Sequence, residues 1–316
     1  DEGHLQRVVR REGGKSPRRQ KWESDSRSKG GFQKVSAFHT VSPRISVVGH
    51  RAAHGTSEAA DLFTPDEAPG GPGLAGMLAA AGHSKISVVR RPSVAIIATG
   101  DEVVAPGRPL PEGKLYASNM TTLGGWCRRY GMRAHLDVVK DDFDAILSML
   151  AEQAASADAI VTSGGAWTGD RDLVAQVLDR LGWQQVFHRI RIGPGKAVGF
   201  GLLKNKPVFI LPGGPPSNLM GFLQIALPGL LKLAGHRSTG LPVAHVRLAS
   251  ELTGRYADWT QFIYGALEAG DDAPLFRALK GKSRLRSMAE AQAVVAIPEG
   301  ETVLPAGSIV AAQLLD

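Results

Sequence analysis

VAIIATGDE, residues 94–102, is an unbroken apolar run that ends in Thr99-Gly100 and then two acids. A run of strand length without polar alternation suits a strand covered on both faces, and the glycine after it suits a turn into the next element. The same order recurs three times. AHLDVV (134–139) leads into Lys140-Asp141-Asp142, AIVTSGG (159–165) into a glycine-rich turn, and VFILPGG (208–214) into a long apolar helix from Ser217. Helical stretches lie between them: Ser118 to Tyr130 stopped by Gly131, Asp144 to Ala155, and Arg171 to Leu181 stopped by Gly182. Strands alternating with helices in this way predict an α/β domain of three layers around a parallel-rich sheet.

Beyond Gly240 the pattern changes. VAHVRLAS, WTQFIYGAL, AVVAIPEG and SIVAAQLLD are short β-like pieces separated by Gly, Pro and Asp turns, which predicts a small all-β barrel or sandwich. Before the sheet, LAGMLAAAG predicts a helix ended by Gly82, and ISVV a short strand. Residues 1–73 carry turn-formers and charge without sustained periodicity and read as an atypical, poorly ordered segment. The expected division is therefore 1–73, a lead-in helix and strand at 74–92, an α/β domain at 93–238 and a β domain at 239–316.

Composition narrows the function classes. Of 316 residues, 43% are hydrophobic and 21% charged, which is ordinary for a globular chain. The net charge of +7 invites a nucleic-acid reading, but residues 1–36 hold ten Lys/Arg against five Asp/Glu, so the basicity belongs mainly to the tail. No nucleic-acid recognition motif accompanies it, and nucleic acid is disfavoured as a partner. The longest apolar stretch, Leu219 to Ala234, is broken by Gln224, Pro228 and Lys232, so no membrane span is expected. Without an apolar leader behind a basic start, the default location is cytoplasmic. A single cysteine, Cys127, offers no disulfide or metal framework and reads as a small buried apolar residue.

In open parallel sheets ligands bind beyond the carboxyl ends of the strands. There the sequence places Thr99, Gly100, Asp101 and Glu102; Asp141; Ser163, Gly164, Gly165, Gly169 and Asp172; and Pro212, Gly213, Gly214 and Ser217, with Lys196 between the last two groups. Glycines, hydroxyls and a lysine suit an anion such as phosphate. Carboxylates would repel a bare anion, so a hard cation such as Mg²⁺ between acids and ligand oxygens satisfies both halves. Each piece is ordinary singly; their joint occurrence at successive strand ends is what points to a site.

TGDE (99–102), the acids at 141 and 142, SGG-x-x-x-G-x-x-D (163–172), PGK (194–196), LPG-x-P (211–215) and a following β domain resemble, in order and spacing, the molybdopterin molybdenumtransferase (MoeA/gephyrin) family. The resemblance implies a molybdopterin-binding α/β domain followed by a small β-barrel. It also implies an activity: insertion of molybdate into adenylylated molybdopterin, with Mg²⁺ assistance and release of AMP. Carried over by position, Glu102, Asp141 and Asp172 become the catalytic and metal-holding acids. Thr99, Gly100, Asp101, Ser163, Gly164, Gly165, Gly169, Lys196, Pro212, Gly213, Gly214 and Ser217 become ligand-binding, joined by Ser283 of the β domain. Implied partners are the molybdopterin nucleotide, a second copy of the chain, other molybdenum-cofactor assembly enzymes and apo-molybdoenzymes.

The chain also departs from the family. No PPFDNSAMDGYA-like acidic segment occurs in residues 1–92, PGKP reads Pro194-Gly195-Lys196-Ala197, and LPGNP reads Leu211-Pro212-Gly213-Gly214-Pro215. Gly193 and Tyr264 stand where relatives often carry lysine and arginine. The alternative left open is a non-catalytic molybdopterin-binding or scaffold protein.

Overall fold

The computed structural model describes residues 72–83, 89–164, 173–279 and 284–315. The expectations placed on 1–71, on most of ISVV, and on Gly165, Gly169, Asp172 and Ser283 lie outside the described residues.

The first described element is α1 (Pro72–Ala80). The main sheet begins with β1 (Ser93–Thr99), all seven residues of which are buried, as its apolar run requires. A small parallel pair, β2 (Val103–Val104) and β3 (Leu115–Tyr116), brackets an exposed loop before α2 (Ser118–Arg129). Next come β4 (Arg133–Val139), α3 (Phe143–Ser156), β5 (Ala159–Ser163), α4 (Leu173–Arg180), β6 (Gln184–His188), β7 (Ile192–Gly193), β8 (Gly199–Leu203) and β9 (Lys206–Leu211). The strand order is β4-β1-β5-β9-β8-β6, parallel across the first four and antiparallel across the last two pairs.

Alternation along β1 divides two cores. Val94, Ile96 and Ala98 face α2 and the helix after β9, where Leu123, Cys127 and Phe222 are fully buried. Ala95 and Ile97 face the opposite layer, with Ile146 and Leu150 of α3 and Val177 of α4. Each such Leu or Ile contributes about 1.5–3 kcal/mol by leaving water. Burial pushes the Cys127 thiol up to about 12, so it remains a neutral, apolar filler, as expected.

The long apolar helix is not one regular helix. It runs as α5 (Pro215–Gly221), a π-helical turn (Phe222–Ala226) and α6 (Leu227–Leu233). Pro228 has no N–H for the carbonyl four residues back, and the ladder passes through a wider turn just before it.

After β10 (Val243–Leu248), β11 (Leu252–Thr253), β12 (Thr260–Glu268) and β13 (Leu275–Ala278), a short helix, α7 (Arg284–Glu290), interrupts the strands. β14 (Ala293–Ile297), β15 (Val303–Leu304) and β16 (Ile309–Leu314) complete them. The order β13-β10-β16-β14-β12 closes through a β12–β13 pairing into a five-stranded barrel around Val246, Phe276, Val295 and Ile297. β7 joins the barrel by pairing in parallel with β12. The barrel also packs on the helix after β9: Gln224 and Gln313 exchange side-chain amide bonds at 2.6 and 3.2 Å, and Leu241, Phe262, Val294 and Leu315 enter the same core.

At the amino end of the sheet, Asp158 accepts from Ser93 N at 2.7 Å and from both Arg90 Nη atoms at 2.6 and 2.5 Å. The Arg90 guanidinium holds its carboxyl below the usual carboxylate range. A folded-state pKa below the unfolded one stabilises above the ordinary carboxylate range and ceases to do so as pH falls through the lowered value. Because Arg90 is largely exposed, the effect is discounted. Asp158→Asn is expected to cost about 1 kcal/mol at neutral pH. Urea denaturation should show the difference from wild type shrinking towards zero in acid; a difference independent of pH would refute the assignment.

Candidate functional site at the carboxyl edge of the sheet

Strand register brings the predicted segments to one edge. Thr99 pairs with Val139, Ala98 with Ser163, and Ser163 with Leu211, so β4, β1, β5 and β9 finish level. The segments leaving these four strands lie side by side: Lys140-Asp141, Gly100-Asp101-Glu102, Gly164 and Pro212-Gly213-Gly214.

On the β4–β1 side the acids gather. Gly100 has φ +143°, and a Cβ there would lie 2.5 Å from Glu102 Oε2, so the Glu102 carboxylate folds back over bare backbone. Asp141 N donates to Asp101 Oδ1 at 3.3 Å, and Lys114 Nζ to Asp101 O at 2.7 Å. Partial burial, then the charges of Glu102 and Asp101, raise the Asp141 carboxyl above its ordinary value. Asp142 is occupied differently. It caps α3, accepting from Ala145 N at 2.9 Å. Among the described residues no three His, Cys, Asp or Glu side chains stand close enough to hold a metal ion unaided.

On the β5–β9 side the surface is made of backbone and neutral donors. Gly164 has φ +113°, and a Cβ would lie 2.5 Å from Thr99 O and 2.7 Å from Thr99 Oγ1. Its own N–H donates to Leu211 O at 3.0 Å, so what Gly164 offers a ligand is close approach, not an amide donor. Thr99 is buried beneath it, with a hydroxyl that finds no partner among the described residues. Pro212 is buried, whereas Gly213 and Gly214 are exposed. Pro215 and Pro216 have no N–H, leaving Gly213, Gly214 and Ser217 as the backbone donors of this turn.

Lys196 stands elsewhere in the arrangement. The β7–β12 pairing fixes the loop before it, and Gly195 is pressed against α5, its absent Cβ 3.2 Å from Gly221 N and 3.3 Å from Ser217 O. The ammonium lies 5.9 Å over the Trp259 ring. Tyr264 Oη donates at 3.5 Å to Pro216 O, and burial pushes its phenol well up, so it stays protonated. Trp259 thus meets Lys196, and Tyr264 of the barrel meets the turn after β9.

Sequence reasoning missed Asn119 and Asn218. Their side chains, from α2 and α5, meet at Ser163 Oγ at 3.1 and 3.0 Å and also bind the carbonyls of Gly213 and Pro212. A signal was present: the chain has three asparagines, and two sit in the first turns of helices that come directly after site loops.

Comparison with known proteins fits this geometry. A family described as "Probable molybdopterin binding domain" matches residues 95–232. A molybdopterin molybdenumtransferase of Nostoc sp. is 32% identical over 239 residues, covering 73% of this chain and 55% of the relative. The molybdenum cofactor synthesis protein cinnamon of Drosophila melanogaster is 31% identical over 248 residues, covering 76% and 40%. The crystal structure of the molybdopterin biosynthesis MoeA protein from Pyrococcus horikosii superposes with a TM-score of 0.65 at 33% identity, covering 76% of this chain and 59% of that one. The chain therefore spans about half the length of the curated relatives it matches. No helix among the described residues is long and apolar enough to cross a membrane. The C-terminal part of the chain, its α/β domain and β-barrel, is thus the part covered by the molybdopterin-binding family, the molybdopterin molybdenumtransferase relative and the MoeA structure.

Proposed function

We propose that this chain serves molybdenum-cofactor biosynthesis by inserting molybdate into adenylylated molybdopterin with release of AMP. The observation that carries the reading is the division of one sheet edge into an acidic half, Asp101, Glu102 and Asp141, and a neutral donor half, Ser163 with the Gly164 and Gly213 turns. A nucleotide bridged by a phosphoanhydride can lie across both.

Mg²⁺ fits the acidic half. It takes oxygen ligands and is commonly held by one or two carboxylates together with substrate phosphates, and partial burial, with the charges of Glu102 and Asp101, has already raised the Asp141 carboxyl. When bound there, the ion supplies positive charge to the phosphate oxygens as the anhydride breaks. Glu102 and Asp141 would hold it, together with Asp172. Ser163 donates to a phosphate oxygen, and Gly164, lacking a side chain, lets that oxygen approach the sheet edge. Thr99, Gly100, Asp101, Gly165, Gly169, Pro212, Gly213, Gly214 and Ser217 shape the remaining ligand contacts. Lys196, on the barrel side, and Ser283 complete the set that binds the ligand. The protein's part is to position and to stabilise developing charge, without a covalent intermediate.

The division at 93–238 and 239–316, a homodimer, contacts with other assembly enzymes and apo-molybdoenzymes, and a cytoplasmic location belong to the same proposal. Incubation of the purified chain with adenylylated molybdopterin, Mg²⁺ and molybdate tests it. Molybdate-dependent AMP release is expected. Binding without release would instead make the chain a non-catalytic molybdopterin-binding or scaffold protein, and absence of binding would overturn both readings.

A further inference from the structure

Asn119 and Asn218 hold Ser163 from two different helices. Each uses Nδ2 twice: once to Ser163 Oγ, at 3.1 and 3.0 Å, and once to a backbone carbonyl, Gly213 O at 2.7 Å and Pro212 O at 2.9 Å. A backbone carbonyl can only accept, so it dictates that the NH₂ end of each carboxamide faces it. Facing the same NH₂ groups, the serine oxygen must accept from both. Two accepted bonds occupy both lone pairs of a hydroxyl and leave its single proton to be donated elsewhere. Among the described residues no acceptor for that proton is found. Ser163 is 5% exposed and Asn218 1%, so water has little access to that pair, while Asn119 is half-buried beside them.

A serine hydroxyl ordinarily rotates to donate or accept as its partner demands. This one has a single option. We propose that Asn119 and Asn218 are positioning residues that lock Ser163 as a one-way donor, so that this point of the edge takes an acceptor-only oxygen, as in a phosphate, and disfavours a donor group. The identity of the phosphate's carrier rests on the proposed function; the polarity of the lock does not.

Two measurements test it. The chain has only three asparagines, and the third, Asn205, is exposed in the turn between β8 and β9. Selective ¹⁵N-asparagine labelling therefore yields three side-chain NH₂ groups with a built-in reference. In the free protein the Asn119 and Asn218 NH₂ protons should exchange roughly tenfold or more slowly than those of Asn205, and Ser163→Ala should speed them. Exchange at the Asn205 rate overturns the lock whatever the chain binds.

The second is a double-mutant cycle on adenylylated molybdopterin affinity, with thermal unfolding confirming that each variant is folded. Ser163→Ala and Asn119→Leu are each expected to weaken binding about fivefold to tenfold, and the double variant no further than the weaker single. Losses that multiply would show Asn119 acting independently of Ser163 and overturn its positioning role. A wild-type chain that fails to bind adenylylated molybdopterin refutes the proposed function instead, and the exchange measurement still decides the lock.

Discussion

Glu102→Gln is expected to lower molybdate-dependent AMP release about a hundredfold or more while leaving adenylylated molybdopterin bound. The carboxylate lies folded over Gly100 beside Asp141, whose carboxyl it helps to raise. Removing its charge leaves the edge less repulsive to an anion in the absence of Mg²⁺, and takes away one of the causes, after burial, that raise the Asp141 carboxyl. Affinity for the nucleotide without Mg²⁺ should thus hold or rise, and the gain on adding Mg²⁺ should shrink. That split between binding and turnover is measured by titration with and without Mg²⁺ beside AMP release. An equal loss in both would mean Glu102 contacts the nucleotide for binding alone. Gly100→Ala should share the phenotype in part: the new methyl meets the Glu102 carboxylate, a flexible group that can swing away, so the acid is displaced more than the fold is damaged.

Gly164→Ala is expected to be the most damaging single methyl at the edge, costing about 3 kcal/mol of stability. Two effects act together. The backbone is at φ +113°, where an L side chain is strained, and the methyl would lie 2.5 Å from a backbone oxygen, Thr99 O, in a fully buried strand that cannot yield. At roughly 2–4 °C per kcal/mol for a domain of this size, the melting temperature should fall by about 6–12 °C. Gly213→Ala is the control one turn away. A methyl there meets nothing nearer than Gly164 Cα at 3.9 Å, and it should be close to neutral. Equal melting temperatures for the two variants would contradict the close-packed geometry.

The legibility of each part depends on the forces that position it. Strands β1, β5 and β9 are plain in the sequence because burial on both faces gives each an apolar run, with polar residues confined towards its ends. Antiparallel β6 and β8 went unseen: β6 is exposed at Gln184, Gln185 and Val186, so its composition obeys no strand rule. Helix α7 was equally hidden, having no buried residue among its seven and an Arg286–Glu290 pair facing solvent. The strand-end acids were legible because topology alone carries them to the edge, and register did the rest. The asparagines on Ser163 were not, since their role depends on two helices converging across 99 residues of chain. Nor could sequence foresee that Lys196 would rest over Trp259, because that contact exists only once β7 joins the barrel.

A crystal structure of the chain with adenylylated molybdopterin bound tests the central claim most directly. The phosphate oxygens should lie at the carboxyl edge of β1, β5 and β9, one within hydrogen-bond reach of Ser163 Oγ and others facing Glu102 and Asp141. Density for the nucleotide elsewhere on the chain, with that edge left to solvent, would contradict it.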